Sequence, residues 1–315
     1  MQPRRVLVGF DARGRSDFAV LAALDLQRDF GTTVEVAHVV DVPPVEAMGG
    51  RPDKAEAVHV EVLARARDAA LERLEGLVGD ARDVSAEKLL TLLRGHPSKA
   101  LIERARETGV DMIMLGPHEK HGIFDFGSTA RAVLGRAGVH VWMQPGEPRP
   151  IERILVPTDL SEDSDLALGT ARILAQGFGA HITLLHCYVP PALAYPVASG
   201  YGAVAAPHYL IEEERRAEQE RFEHHAKAFE WSGVEHTLEF IEGSPAESIL
   251  ERVDRHDLIV MGSHGRTGLS AFLLGNVAYS VLRGSPIPVL ATRNQSRRWV
   301  LDGAIAIDAP APAAG

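Results

Sequence analysis

Short, nearly unbroken apolar runs alternate along this chain with longer stretches whose apolar residues recur every three or four positions. Arg5-Val6-Leu7-Val8-Gly9-Phe10 is the first run, and it ends on Asp11. A run of this length without polar interruption reads as a strand buried on both faces, as in a parallel sheet. Ser16 to Phe30 follows, with Phe18, Leu21, Ala22, Leu24 and Leu26 among its apolar positions, and reads as an amphipathic helix. Thr33 to Val40 is rich in β-branched residues and reads as a second strand. Ala55 to Leu77 reads as a long helix. Val84 to Leu93 reads as a strand, although Lys88 and the leucines also suit a helix. Gly95-His96-Pro97 turns into a helix reaching Glu107. Asp111 to Gly116 is a further buried strand, Gly127 opens another helix, and Val139 to Met143 is the last strand of the series. This alternation predicts an α/β fold with a parallel sheet covered by helices.

The pattern then starts again. Asp159 follows Asp11 at an offset of 148 positions, and His38 with His186, Gly95 with Gly243, and Gly127 with Gly275 keep that offset. Four anchors at one offset indicate two copies of an α/β unit of roughly 145 residues. The expected domains are residues 1–146 and 151–295, joined by a Pro-rich linker from Gln144 to Pro150. Residues 296–315 depart from the repeat. Ala304 to Gly315 is rich in Ala and Pro and reads as a mobile tail. Val189 to Pro207 carries four prolines and reads as a long loop, either a lid or a solvated insertion.

Candidate chemistry concentrates after the fourth strand of the second copy. Asp257 to Met261 reads as a buried strand, and Val277 to Arg283 as a helix. Between them runs Met261-Gly262-Ser263-His264-Gly265-Arg266-Thr267-Gly268, closed by Gly275-Asn276. Glycines here sit at the carboxyl end of a strand, where open α/β sheets bind ligands. Without Cβ atoms, Gly262 and Gly265 let backbone N–H groups approach phosphate oxygens. Gly275-Asn276 falls at a helix start, where Asn can cap and free N–H groups can hold an anion. Arg266 can add charge-assisted hydrogen bonds. The spacing is neither GxGxxG nor that of a Walker A loop.

Residues 262–290, GSHGRTGLSAFLLGNVAYSVLRGSPIPVL, resemble the C-terminal segment of ATP-binding universal stress proteins. The family's pattern is G-x2-G-x9-G-(S/T), and here the last position is Asn. The resemblance covers both copies, nearly residues 4–293. It implies two tandem Rossmann-like domains of the HUP type, each a five-stranded parallel sheet of order 3-2-1-4-5 flanked by helices. It also implies that the two units pair through their last strands, Val139 to Met143 and Pro286 to Ala291. Pro288 suits a strand start or edge better than a strand centre. Thr158, Asp159, Cys187, Met261, Gly262, Gly265, Arg266, Gly275 and Asn276 would then bind ATP, ADP or AMP, with Mg2+ between phosphate oxygens. Asp159 would face the adenine, whose exocyclic amine a carboxylate can accept from. Asp159 also suits a capping role on the following helix, where Ser161 competes. In the first copy Asp11, Val39, Gly116, Gly127 and Ser128 keep part of the pattern. Glu119 stands where the second phosphate glycine would be, and Gly116 to Gly127 is two residues shorter than Gly262 to Gly275. A carboxylate there would repel a triphosphate, so the first site is expected to be degenerate.

A net charge of −10 argues against a general nucleic-acid backbone binder. One cysteine, Cys187, excludes an intrachain disulfide framework. No apolar run approaches ~20 residues and no signal-peptide core follows Met1, so the expectation is a cytoplasmic protein without a membrane partner. His118 and His121 beside Glu119 do not form HExxH, and no metal site is expected. His224-His225 lies on a charged helix from Glu212 to Glu230 and reads as solvated. His38 and His186, at matching strand ends, read as structural donors to neighbouring loop backbone. No serine elbow or paired carboxylates suggest catalysis. The expected function is nucleotide-dependent regulation in a stress response. A slow ATPase and a nucleotide-free scaffold stay open beside it, as does a homodimer of tandem chains.

Overall fold

The computed structural model describes residues 3–42, 52–79, 84–120, 123–125, 127–190, 208–263 and 274–293. The first half contains strands β1 (Arg5–Phe10), β2 (Thr33–Val40), β3 (Leu90–Arg94), β4 (Met112–Leu115) and β7 (His140–Met143). Its helices are α1 (Asp17–Phe30), α2 (Pro52–Val78), α3 (Ala86–Leu89), α4 (Pro97–Thr108) and α5 (Ser128–Arg136). A short antiparallel hairpin, β5 (His118–Lys120) and β6 (Ile123–Asp125), follows β4. The second half repeats the main elements as β8 (Arg153–Thr158), α6 (Glu162–Phe178), β9 (His181–Tyr188), α7 (His208–Ala228), β10 (His236–Glu242), α8 (Pro245–Leu250), β11 (Leu258–Gly262), α9 (Asn276–Gly284) and β12 (Val289–Thr292).

Ten strands form one sheet in the order β10-β9-β8-β11-β12-β7-β4-β1-β2-β3. Within each half the strands are parallel and run 3-2-1-4-5 in chain order, as the resemblance implied. The antiparallel step is β12 against β7, with Val289 opposite Met143, Leu290 opposite Trp142 and Ala291 opposite Val141. Met143 and Ala291 are equivalent, since they face Leu115 and Met261 on the neighbouring strands. The Trp142–Leu290 pair therefore marks a local two-fold axis. Across the seam, the Arg131 guanidinium of α5 lies 5.8 Å from the Tyr279 ring centroid of α9.

Both sheet faces are covered, which explains why the strands read as continuous apolar runs rather than alternating ones. Val6, Val8, Ile154, Val156, Ile182 and Leu184 pack under α1, α2, α6 and α7. Leu7, Leu155, Leu185, Ile113 and Ile259 face α4, α5, α8 and α9. Local signals recur in the two halves. Gly31 and Gly179 end α1 and α6 in the left-handed region, with φ of 68° and 69°, where a Cβ would be strained. Asp111 accepts from the Arg4 and Arg5 amides, both at 2.9 Å, and Asp257 accepts from the Glu152 and Arg153 amides at 3.1 and 2.9 Å. Each carboxylate thereby ties the entry of a first strand to the fourth.

The stretch read as a strand from Val84 to Leu93 divides in two. Ala86–Leu89 makes one helical turn on Ser85, where Glu87 and Lys88 favour helix and Leu89 is buried, and the strand begins only at Leu90. β12 begins at Val289, just past Pro288, whose carbonyl accepts from the Ile259 amide at 2.9 Å. The 296–315 tail and residues 191–207 of the long loop lie outside the described residues.

Candidate functional site

The second-half pocket opens where the strand order reverses, between the carboxyl ends of β8 and β11. Its volume is about 260 Å³, and Thr158, Asp159, Cys187, Met261, Gly262, Gly275 and Asn276 all line it. Of the nine residues expected there, Gly265 and Arg266 fall outside the described residues. Leu185, Ile249 and Ala278 add an apolar floor.

A dense hydrogen-bond turn shapes one wall. Thr158 Oγ1 donates to Ser164 Oγ at 3.0 Å and accepts from the Leu160 amide at 3.0 Å. Ser161 caps α6: its side chain accepts from the Ser164 amide, while Ser164 Oγ accepts from the Ser161 amide at 3.0 Å. Asp159 Oδ1 accepts from the Ser161 amide at 3.1 Å and its hydroxyl at 2.5 Å. The competition between Asp159 and Ser161 thus resolves into cooperation: Ser161 is the cap, and Asp159 braces it. These bonds hold Leu160 at φ 61°, a costly conformation for a non-glycine residue.

The opposite wall is the start of α9. Gly275 occupies the N-cap without a side-chain bond, and Asn276 is the first helical residue. This corrects the expectation that Asn276 caps: it stands one position too late to reach back over the first turn. The amides of the first turn therefore lack intrahelical partners and suit an anion. The Gly275 amide donates to Ser263 O at 2.9 Å, which fixes the helix start to the end of β11. Gly262 has a packing reason to be glycine as well. A Cβ there would lie 3.1 Å from the backbone of Asp163, in the first turn of α6. The Cys187 thiol is pushed up to about 11 by burial, so it is neutral and lines the pocket as a small apolar group.

The first half builds the same pocket, and it is larger. Asp11, Val39, Gly116, Gly127 and Ser128 line a cavity of about 720 Å³. Gly9 and Ala37 stand where the second half has Pro157 and Leu185, so the floor is lower. Gly127 is again an N-cap without a side-chain bond, followed by the hydroxyls of Ser128 and Thr129. Arg13 and Arg15 stand at the rim, Arg15 3.7 Å from Asp11. The hairpin β5–β6 replaces the glycine loop, with Glu119 opposite Phe124. A Cβ on Gly116 would come within 2.2 Å of the Arg15 carbonyl oxygen, so this glycine too serves close packing.

The histidines separate into roles. His38 Nδ1 lies 3.0 Å from Phe10 O, and His186 Nδ1 2.9 Å from Thr158 O, so each strand-end imidazole donates to backbone beside its pocket. That matches the structural reading of the repeated histidines. His225 is a correction: it is half-buried, with Nε2 2.9 Å from Asp165 in the first turn of α6. The helix packs closely enough on its neighbour to bring the pair together, which no local pattern reveals. Among the described residues no group of three His, Cys, Asp or Glu could hold a metal ion. No helix among them is long and apolar enough to cross a membrane.

Two copies of a five-stranded parallel α/β unit, each with a pocket at its strand reversal, define the class of protein. Comparison with known proteins agrees. The sequence profile described as the universal stress protein family matches residues 3–145 and 150–293, and the chain belongs to that family in tandem form. It is 26% identical over 312 residues to universal stress protein Rv2005c of Mycobacterium tuberculosis, covering 93% of this chain and 99% of that one. It is 32% identical over 149 residues to universal stress protein MJ0531 of Methanocaldococcus jannaschii, covering 46% and 84%. A universal stress protein structure from Archaeoglobus fulgidus shares the fold with a TM-score of 0.58 at 21% identity, covering 93% and 97%.

Proposed function

We propose that the second half binds an adenine nucleotide and that the protein acts as a nucleotide-dependent regulator in a stress response. The observation that supports this most is the convergence of seven expected residues, scattered from Thr158 to Asn276, on one concave site closed by an uncapped helix start. Its apolar floor suits a base, and the first turn of α9 suits phosphate. Thr158, Asp159 and Cys187 would hold the base edge, and Gly275 and Asn276 the phosphates. Any divalent ion would take its coordination from phosphate oxygens and water, since no protein cluster of ligands is described. Among the described residues the carboxylate lining the pocket, Asp159, is engaged by Ser161 rather than turned to a water, which favours binding over hydrolysis. The two halves would stay joined through the β12–β7 seam, whose central side chains, Trp142 and Leu290, are fully buried. Regulation then requires that two states differ in nucleotide affinity.

The larger cavity of the first half favours a second reading, in which it too holds a ligand. Denaturing the purified protein and quantifying released nucleotide by chromatography tests both. About one adenine nucleotide per chain is expected from the second half alone, and about two from both pockets. An empty protein that binds no added Mg·ATP by calorimetry overturns the nucleotide reading.

A further inference from the structure

Strand alternation on β9 turns Leu185 and Cys187 toward the pocket and His186 to the opposite face, where α7 packs. His186 Nδ1 lies 2.9 Å from the Thr158 carbonyl oxygen, and a carbonyl only accepts, so Nδ1 carries a proton. On the other side of the ring, Nε2 lies 3.2 Å from Glu218 Oε1. A neutral imidazole protonated at Nδ1 would set a lone pair against a carboxylate there. The contact therefore holds one further proton, on the imidazole or on the carboxyl. Both side chains are buried, His186 3% and Glu218 7% exposed. Phe222 and Phe240 stack against the imidazole with centroids 5.5 and 5.7 Å away. In the first half His38 makes the same bond to Phe10, but Ala70 stands at the position equivalent to Glu218, 148 residues earlier.

We propose that Glu218, acting through His186, is a positioning residue for the second-half pocket, and that their shared proton ties ligand affinity at the Thr158–Asp159 edge to pH and to the seating of α7. This rests on the nucleotide reading of that pocket. With the proton present, α7 and β9 hold the Thr158 carbonyl fixed and the following turn closed. Loss of the proton opposes two lone pairs in an apolar shell, the imidazole shifts, and the Thr158–Asp159 edge loosens. The charged neighbours bias that proton. Arg221 pairs with Glu218 from the exposed rim, and Arg215 lies 5.6 Å over the Phe240 ring. Tyr188, next but one on β9, is pushed up by burial and then by Glu214, Glu242 and Glu218. From α6, Asp165 faces His225 rather than this pair.

The test uses adenosine, which carries no group that titrates near neutrality, with calorimetry on the full chain. Wild type is expected to bind about tenfold more weakly at about pH 8.5 than at about pH 6. Glu218→Gln can donate an amide N–H to the bare Nε2, so its affinity should stay within roughly twofold across that range. Glu218→Ala, which copies Ala70, should bind at the weak alkaline level at both values. A wild type without the slope, or Glu218→Gln with the same slope, overturns the inference while leaving nucleotide binding intact. If wild type binds neither adenosine nor Mg·ATP, the nucleotide reading fails. The coupling is then read from hydrogen-exchange protection of the Leu160 and Ser161 amides, which should fall with pH in wild type and hold in Glu218→Gln. Equal protection in both proteins overturns it.

Discussion

Arg73 of α2 and Arg221 of α7 hold equivalent places, 148 residues apart, and so do Asp17 of α1 and Asp165 of α6. In the first half the two residues pair with each other, and that ion pair clamps α2 to α1. In the second half they have parted. Arg221 pairs with Glu218, which faces His186, and Asp165 faces His225. One half is thus fastened by an arginine on a carboxylate, and the other through histidines set against carboxylates. The pockets differ in the same direction: the first is wide and arginine-rimmed, while the second is narrow and tied to the helix behind it. A repeated fold keeps its backbone while its side chains divide the work.

Five substitutions would break or sharpen this contrast. The largest effect is expected from Gly116→Ala, whose Cβ would meet the Arg15 carbonyl, at about 3 kcal/mol of lost stability. Gly262→Ala has 3.1 Å of room and should cost about 1 kcal/mol. Urea unfolding of the two variants side by side reads the difference, and equal losses would show that the two close approaches are alike. Leu185→Ala, which copies Ala37, should open the second pocket and cost about 2.5 kcal/mol, again by urea unfolding. Gly265→Glu copies Glu119 into the second half. Calorimetry with Mg·ATP should show at least about a hundredfold weaker binding with an unchanged Tm, since the first half carries a glutamate at the equivalent place.

The smallest effect concerns pH. Asp165 holds the His225 imidazolium and raises its pKa above the ordinary 6.5, partly offset by burial. A raised folded-state value means the stabilisation is complete below 6.5 and is lost as pH rises through that raised value. His225→Leu copies Leu77, and the Tm difference between wild type and this variant should shrink across that window, by less than about 1 kcal/mol because the pair is half-exposed. The Arg73–Asp17 clamp of the first half should show no change over the same range. A Tm difference constant from pH 5 to pH 9 would remove the histidine clamp from the contrast.

Much of the fold was legible because its signals are local and repeated. Runs such as Asp111 to Gly116 and Asp257 to Met261 are buried on both faces, and Gly31 and Gly179 mark helix ends at one offset. The edge strand β10 was harder to read, since its charged and half-exposed positions mask the apolar ones. Hairpin β5–β6 gave no signal: His-Glu-Lys is neither apolar nor rich in turn residues. The glycines after β11 were legible by their place at the end of a buried strand, and Asp159 by its repeat of Asp11 and by the family resemblance. Ser164 could have been noticed as the partner of Ser161, three residues on, in a reciprocal cap. Glu218 could not. It lies on a helix dense in charge, 32 residues from His186, and only packing reveals that this one carboxylate among many points inward.

The seam between β12 and β7 bears on how the two halves could come to differ. In a pair of identical chains, a substitution near the two-fold axis appears twice and must tolerate its own image. Here the two sides are encoded separately. His140, fully buried and pushed down to about 3, stands where the other side has Pro288, and its Nδ1 is 3.4 Å from the Arg293 amide. A change on one side meets the unchanged partner on the other. Joining the copies in one polypeptide thus halves the number of contacts that any mutation disturbs. Duplication in tandem gave each pocket, and each helix behind it, freedom to drift alone.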